Sequence, residues 1–371
     1  MLRTGILTIC EKWGKRLKGE YSFKTEEYLQ KKYPISIKED NFFVSSHVCP
    51  TTELVKEIKS LKLDEGIIYE GETIAARLSC LKAFDFPELA EKIKFHEFKG
   101  KLSVINNLWD LVEENETQLR VDFELLTKGK ESACISSTNN ILGKENIFLE
   151  QGVKMECATI NATEGPVYLG KNSIIMEGVL IRGAFALCEG SQVNMGSKIY
   201  GATTIGPHSK VGGEVGQSVI TGYSNKGHDG YLGNSVLGEW CNLGAATNVS
   251  NLKNSYDKVK LWNYNENRFV KTGLQFCGVF IGDHTKTGIN TMINTGSVIG
   301  VGCNIHGTGF PRQFVPSFSD GGLSGYHVNR LKSVLKTAEI VMARRNCKLT
   351  DEDRKILEFV FNKTVSYRRF Q

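Results

Sequence analysis

Proline is scarce in this sequence, 7 residues in 371, and its 10 cysteines include no Cys-x-x-Cys pair. Few prolines beside 38 glycines exclude a collagen-like chain and point to many tight turns joining short regular elements. The missing cysteine pair leaves no readable zinc framework. Scattered single thiols fit a reducing cytosol better than a disulfide-stapled secreted scaffold. No apolar run approaches the ~18 residues of a membrane span. The opening MLRTGILTIC is too short, and too polar after Cys10, for a signal peptide. These absences lead us to expect a cytoplasmic protein without a membrane partner. No long basic run occurs, and a net charge of +5 from 46 basic and 41 acidic residues is too mild to argue for nucleic acid. Neither G-x-G-x-x-G nor G-x-x-x-x-G-K-[ST] is present, so no phosphate cradle is visible.

What the sequence does hold is a period. Leu169, Ile175, Ile181, Leu187, Val193, Ile199, Ile205 and Val211 stand six apart without a miss, with small residues between them. A second run follows at Ile281, Thr287, Ile293, Ile299 and Ile305. Helices repeat at 3.6 and half-buried strands at 2, so six is neither. It suits a short strand plus a tight turn, wound into coils whose backbone groups pair with the coils above and below. Three such units per coil place Leu169, Leu187 and Ile205 in one column and Ile175, Val193 and Val211 in another. The spacing predicts a parallel β-helix over 135–310. Its handedness does not follow from the period.

Residues 1–130 read as an α/β domain. Phe42-Phe43-Val44 and Ile67-Ile68-Tyr69 read as strands. Helices are predicted to begin near Thr25, Pro50 and Phe86, and 108–126 reads as a helical and extended mixture. Alternation of strands and helices predicts a parallel sheet. After Pro311, residues 311–371 turn helical. Thr350 is the predicted N-cap of the last helix, and the two C-terminal helices are expected to cover the open end of the coil.

The rhythm lapses after Val211, resumes near Leu232, and lapses again from Asn251 to about Gly278. Insertions into a solenoid commonly form its binding loops. The first lapse holds Glu214, His228 and Tyr231, and a histidine ring is the side chain best suited to exchanging protons near neutral pH.

Gly227-His228, Tyr231-Leu232-Gly233, Asn242-Leu243-Gly244-Ala245 and Asn251 resemble the left-handed β-helix acetyltransferase domain of a bifunctional family. That family comprises the N-acetylglucosamine-1-phosphate uridyltransferase/glucosamine-1-phosphate acetyltransferases. The whole chain, with GILTICEKW and LQFCGVFIGDHTKTGINTMINTGSVIG, is most similar to a variant bacterial branch of sugar nucleotidyltransferases in it. The resemblance implies a left-handed coil, a homotrimer and acetyl-CoA as co-substrate. His228 would be the general base for a sugar 2-amine, with Glu214 orienting it or holding the sugar. Tyr231 and Asn251 would contact the sugar and its phosphate. Acetyl-CoA would lie near Gly282, Val301 and Gly302, with His284 at the same corner.

The resemblance also sets expectations that this chain meets only in part. A phosphate monoester needs cations. Lys198 aligns with the family's arginine, Gly216 with its lysine, and Lys253, Lys258 and Lys260 are candidates for a further lysine. The acceptor is therefore read as an amino-sugar phosphate or a nucleotide-linked amino sugar. Arg3-Thr4-Gly5-Ile6 resembles the segment that follows the family's phosphate loop. Magnesium would be required if the first domain were active, with Asp110, Asp122 and Lys128 as remnants of its site.

Two alternatives are a sugar-1-phosphate nucleotidyltransferase whose β-helix serves as a trimerisation scaffold, and a non-catalytic scaffold. Zinc carbonic anhydrases on similar coils use three histidines. The histidines here, 47, 96, 208, 228, 284, 306 and 327, include no pair four or five apart, so no protein metal site is expected in the coil.

Overall fold

A computed structural model describes residues 1–84, 86 and 93–370. It divides into two compact units. One comprises Met1–Leu2 and Leu7–Asp110; the other comprises Arg3–Ile6 and Leu111–Gln371. Arg3–Ile6 and the helix Asn115–Thr127 therefore belong with the coil.

In the first unit, Thr8 caps the helix Ile9–Leu17 in a reciprocal box with Glu11. Its indole-bearing face is anchored by Trp13 Nε1, which donates to the Val48 carbonyl at 2.9 Å. Thr51 caps the helix Thr52–Ser60, which buries Leu54, Val55 and Ile58. The helix near Thr25 shrinks to a single turn, Glu27–Gln30. The region from 110 to 127 is helical, in the segments Asp110–Glu113 and Asn115–Thr127. The helix expected from Phe86 onward lies at 87–92, outside the described residues.

The sheet is not the parallel one that alternation suggests. Asp40–Val44 and Glu65–Tyr69 both pair antiparallel with Glu72–Ser79, and only Lys94–Glu97 runs parallel to its neighbour. The reason is a two-residue hairpin turn, in which Glu70 and Gly71 both take positive φ, 51° and 84°. That geometry matches the twist of antiparallel strands. A Glu-Gly pair is a weaker hairpin signal than Asn-Gly.

The second unit is a parallel β-solenoid. Its longest sheet stacks nine strands, all parallel where paired, from Ile147–Leu149 to Phe314–Val315. Val167–Leu169, Phe185–Leu187 and Thr203–Ile205 align residue for residue, so Leu169, Leu187 and Ile205 form one column. Ile175, Val193 and Val211 form another. All six are buried in one continuous core. The parallel ladder satisfies backbone groups between coils, which lets an interior of pure aliphatics form.

The coil does not open after Val211. It winds on through Glu214–Gly216, Val219–Ile220, Asn225–Lys226 and Tyr231–Gly233, each paired in register with the coil before it. Val215 and Ile220 fill the interior. The lapse in rhythm is a coil with shortened corners, together with a lysine where the column expects an aliphatic. The true insertion is the second one, which carries the antiparallel hairpin of Lys260–Asn263 and Arg268–Lys271. There Trp262 stacks on Phe314, with ring centroids 4.3 Å apart.

The C-terminal helices Leu331–Ala343 and Asp351–Lys363 do not cover the end of the coil. Val334, Ala338, Met342, Leu349 and Leu357 pack along one corner, against Trp240 and Phe318, with Tyr223 and Val301 at the margin. That corner carries a ladder of stacked rings, Tyr223 on Trp240 at 4.3 Å and Trp240 on His284 at 6.4 Å. It is the apolar stripe the helices need. The end is closed instead by the antiparallel pair Ser319–Gly322 and Gly325–Val328, which sends Tyr326 into the core. Thr350 caps the last helix as expected, in a box with Asp353. No helix among the described residues is long and apolar enough to cross a membrane.

Candidate functional site

His228 lies in the turn Gly227–Gly230, between the strands Asn225–Lys226 and Tyr231–Gly233, and its side chain is exposed. The turn is held closely. The carbonyl of Gly227 accepts from Asn194 Nδ2 at 2.6 Å, and that of His228 accepts from Lys226 Nζ at 2.5 Å. The carbonyl of Asp229 accepts from the Ala246 amide at 3.0 Å, and that of Gly230 from the Glu214 amide at 3.2 Å. Gly213 makes this approach feasible, because a Cβ there would stand 2.8 Å from the Asp229 Cα.

Beside the turn runs one outer face of the solenoid. Lys198, Glu214 and Tyr231 are register neighbours on three successive coils. Glu214 and Tyr231 are half-buried, and Lys198 is exposed. Tyr200 donates its hydroxyl to Glu214 Oε1 at 2.5 Å. Burial first, and this bond next, push the Tyr200 hydroxyl well above the ordinary tyrosine range, so it keeps its proton and remains a donor. Burial likewise raises Tyr231. Tyr231 accepts from Asn251 Nδ2 at 3.0 Å; Asn251 also reaches Asn234 Oδ1 at 2.7 Å, and Asn234 reaches Gln217 Oε1 at 3.2 Å.

The structure thus brings Glu214, Tyr231 and Asn251 together next to the His228 turn. Sequence reasoning missed Tyr200, Asn234 and Asn194. For Tyr200 a signal was available in Gly216, where the resemblance expects a lysine. A Cβ at 216 would stand 2.9 Å from the Tyr200 ring, so the glycine makes room for that ring. Tyr200 and Glu214 thus stand on this face beside the exposed Lys198.

The remaining candidates lie elsewhere. Lys253 sits in the insertion, where its ammonium donates to the Lys258 carbonyl at 3.3 Å. Gly282 lies directly against Val301 of the next coil. His284 is half-buried, its ring stacked on Trp240. Val301 packs against the cluster formed with the C-terminal helices, and Gly302 is buried against Phe318 and Val334. These two do not lie in an open groove, because the helix Leu331–Ala343 covers their corner.

Lys226 was no candidate. It stands in register with Val211 in the aliphatic column and is 2% exposed. Its ammonium also donates to the Gly212 carbonyl at 2.9 Å. Burial pulls its pKa down to about 8, with Asp229 opposing the shift, so it is mainly protonated at neutral pH.

The carboxylates considered for magnesium each accept from backbone amides. Asp110 accepts from the amides of Asn106 and Asn107 at 2.9 and 2.7 Å. Asp122 accepts from the Ile6 amide at 2.9 Å, while Thr4 and Gly5 are tied to the Leu111 carbonyl and the Asn115 side chain. Lys128 is exposed at a helix end. Among the described residues, no group of three or more His, Cys, Asp or Glu is gathered to hold a metal.

Residues 1–131 match the sequence family described as sugar nucleotidyl transferase. The chain is 29% identical over 218 residues to a bifunctional sugar-1-phosphate nucleotidylyltransferase/acetyltransferase of Sulfurisphaera tokodaii, covering 58% of this chain and 47% of that protein. It is 25% identical over 309 residues to the bifunctional protein GlmU of Methanocaldococcus jannaschii, covering 75% of this chain and 66% of that protein. The chain therefore matches about half to two thirds of the length of these relatives. Among solved structures, a UDP-N-acetylglucosamine acyltransferase from Campylobacter jejuni overlaps 61% of this chain and 95% of its own, at 14% identity and a TM-score of 0.24. That overlap is too slight to bear on the chemistry.

Proposed function

We propose that this chain is an N-acetyltransferase that moves an acetyl group from acetyl-CoA to the amine of an amino sugar carrying a phosphate or nucleotide. The observation that carries this reading is an exposed histidine in a turn whose four carbonyls are all held, one coil from the Tyr200–Glu214 and Tyr231–Asn251 pairs. His228 takes a proton from the attacking neutral amine as the nitrogen lone pair forms the N–C bond to the thioester carbonyl. The C–S bond then breaks, and the leaving CoA thiolate takes that proton back from the imidazolium to depart as free thiol. Two tyrosine rings offer faces for the C–H side of a sugar ring, and Glu214 and Asn251 offer partners for its hydroxyls. The Sulfurisphaera tokodaii relative, named a bifunctional sugar-1-phosphate nucleotidylyltransferase/acetyltransferase, supports acetyl transfer in sugar-phosphate chemistry.

Glu214, Tyr231 and Asn251 bind the acceptor, Lys198 lies within its reach on the neighbouring strand, and Lys253 is the further cation for a phosphate. Gly282 and His284 remain the positions for acetyl-CoA. The working form is a cytoplasmic homotrimer, three times the 41.3 kDa chain mass. Exposed apolar side chains along the coil, Leu180, Met195, Ile289 and Met292, support association.

The test is a panel of amino-sugar phosphates and nucleotide amino sugars with acetyl-CoA, scored by free-thiol release, for the wild type and His228→Ala. Thiol release that His228→Ala abolishes while the sedimentation coefficient stays unchanged supports the reading. Equal turnover in the two proteins removes the assigned base.

A second reading, nucleotidyl transfer by the first 131 residues, is favoured by their family match. It predicts magnesium-dependent pyrophosphate release from a nucleoside triphosphate and a sugar 1-phosphate. The engagement of Asp110 and Asp122 with backbone amides weighs against it.

A further inference from the structure

The interior of the solenoid is aliphatic because its coils satisfy their own backbone. Met155, Ile175, Val193 and Val211 build one column, and the next register position is Lys226. Fold alone gives no reason for an ammonium there. Burying a charge is expensive, and replacing it by an apolar side chain of similar length is commonly neutral or stabilising. The preceding coils show that an aliphatic satisfies this site.

What the ammonium does is specific. It reaches the carbonyl of Gly212 on the coil below and the carbonyl of His228 two residues ahead, at 2.9 and 2.5 Å. One buried group therefore ties the backbone of the histidine to the preceding coil. Asn194, two coils back, ties the adjacent Gly227 carbonyl by its side-chain amide. The other two carbonyls of the turn are held by backbone amides, which any residue would supply. The two side-chain ties converge on Gly227 and His228.

We propose that Lys226 is a positioning residue, supported by Asn194, which holds the His228 backbone so that its ring is presented to the acceptor in one orientation. This rests on the reading of His228 as the base. A ring carried on a turn of four residues is otherwise free to pivot, and misplacement by about 1 Å is enough to cost ~100-fold in rate. The lysine trades fold stability for preorganisation.

The test uses the full chain with Lys226→Met, which continues the aliphatic column without the donor. Three quantities are read: melting temperature, hydrogen exchange of the Glu214 and Ala246 amides, which donate to the turn at Gly230 and Asp229, and kcat and KM for thiol release. The melting temperature should be equal or higher. Exchange of these two amides should quicken ~10-fold or more, and kcat should fall ~10- to 100-fold with KM for acetyl-CoA within ~2-fold. Asn194→Ala should move exchange and kcat in the same direction by less. Val193→Ala, which thins the same column without touching the turn, should lower the melting temperature and leave kcat near the wild type.

Unchanged kcat in Lys226→Met overturns the proposal. If Lys226→Met does not fold, Asn194→Ala decides, and unchanged exchange and kcat there overturn it. If the wild type releases no thiol with any acceptor, the acetyltransferase reading fails by itself. The claim about Lys226 is then judged on exchange alone, and an unaltered turn overturns it.

Discussion

Asn251 donates its side-chain amide to the hydroxyl of Tyr231 at 3.0 Å, and thereby joins the start of the long insertion to the coil that follows His228. The same amide reaches Asn234 at 2.7 Å. One residue thus fixes the Tyr231 ring and the edge of the face on which Glu214 stands.

Replacing Asn251 by Leu should therefore loosen Tyr231 and weaken acceptor binding more than turnover. The acceptor KM should rise about tenfold, equivalent to ~1.4 kcal/mol, with kcat falling less. Steady-state thiol release across an acceptor series reads both values. A KM unchanged from the wild type would show that Tyr231 does not touch the acceptor.

Tyr200→Phe removes the donor that holds Glu214. Its global cost should stay near ~1 kcal/mol, the usual worth of one hydrogen bond, measured by urea unfolding. Because burial, followed by the bond to Glu214, pushes the Tyr200 hydroxyl upward, it keeps its proton throughout the assay range. Freeing Glu214 should raise the acceptor KM, and by the same factor at pH 7 and pH 9. A rise confined to one of them would mean that another group titrates against Glu214.

Lys226 predicts a stability profile. Its folded pKa of about 8 lies below the ordinary lysine value of 10.5, so between these limits the unfolded chain binds more protons. The penalty of the buried ammonium is therefore full below pH 8 and is relieved as pH rises toward 10.5. The wild type should gain on Lys226→Met across that window by up to ~3 kcal/mol, at 1.36 kcal/mol per unit. Urea midpoints at pH 7.5 and 10 measure it. Parallel profiles would place the lysine outside the interior.

Ile205→Ala should destabilise by ~2–5 kcal/mol, because Ile205 is fully buried between Leu187 and Ile220 and the stiff coils cannot collapse on the void. The loss should appear in the urea midpoint. A cost under ~0.5 kcal/mol, the usual range for surface changes, would contradict a close-packed column.

Much of this molecule can be read along the chain, and the misreadings have identifiable causes. The columns of Leu169, Leu187 and Ile205, and of Ile175, Val193 and Val211, were legible because each depends only on spacing. His228, Glu214, Tyr231 and Asn251 were legible as polar residues at a lapse in that spacing. The lapse itself was misread. It had the look of an outgrowth because a lysine occupies a column position and the corners shorten. The coils on either side nonetheless hold those strands in register by backbone pairing, which is indifferent to side-chain type. The covering of Val301 and Gly302 was hidden for a related reason. The stripe that receives the C-terminal helices is built from Tyr223, Trp240 and Phe318, which are far apart in sequence.

The sequence alone determined that the chain must wind, since an inward aliphatic every six residues with small residues between can be buried only by stacking coils. Only the tertiary structure decided what the winding carries. Which carbonyls Lys226 reaches, and which ring fills the space left by Gly216, depend on residues 14 to 17 positions apart meeting across coils. Those meetings follow from backbone pairing between coils, a property no local pattern of residues contains.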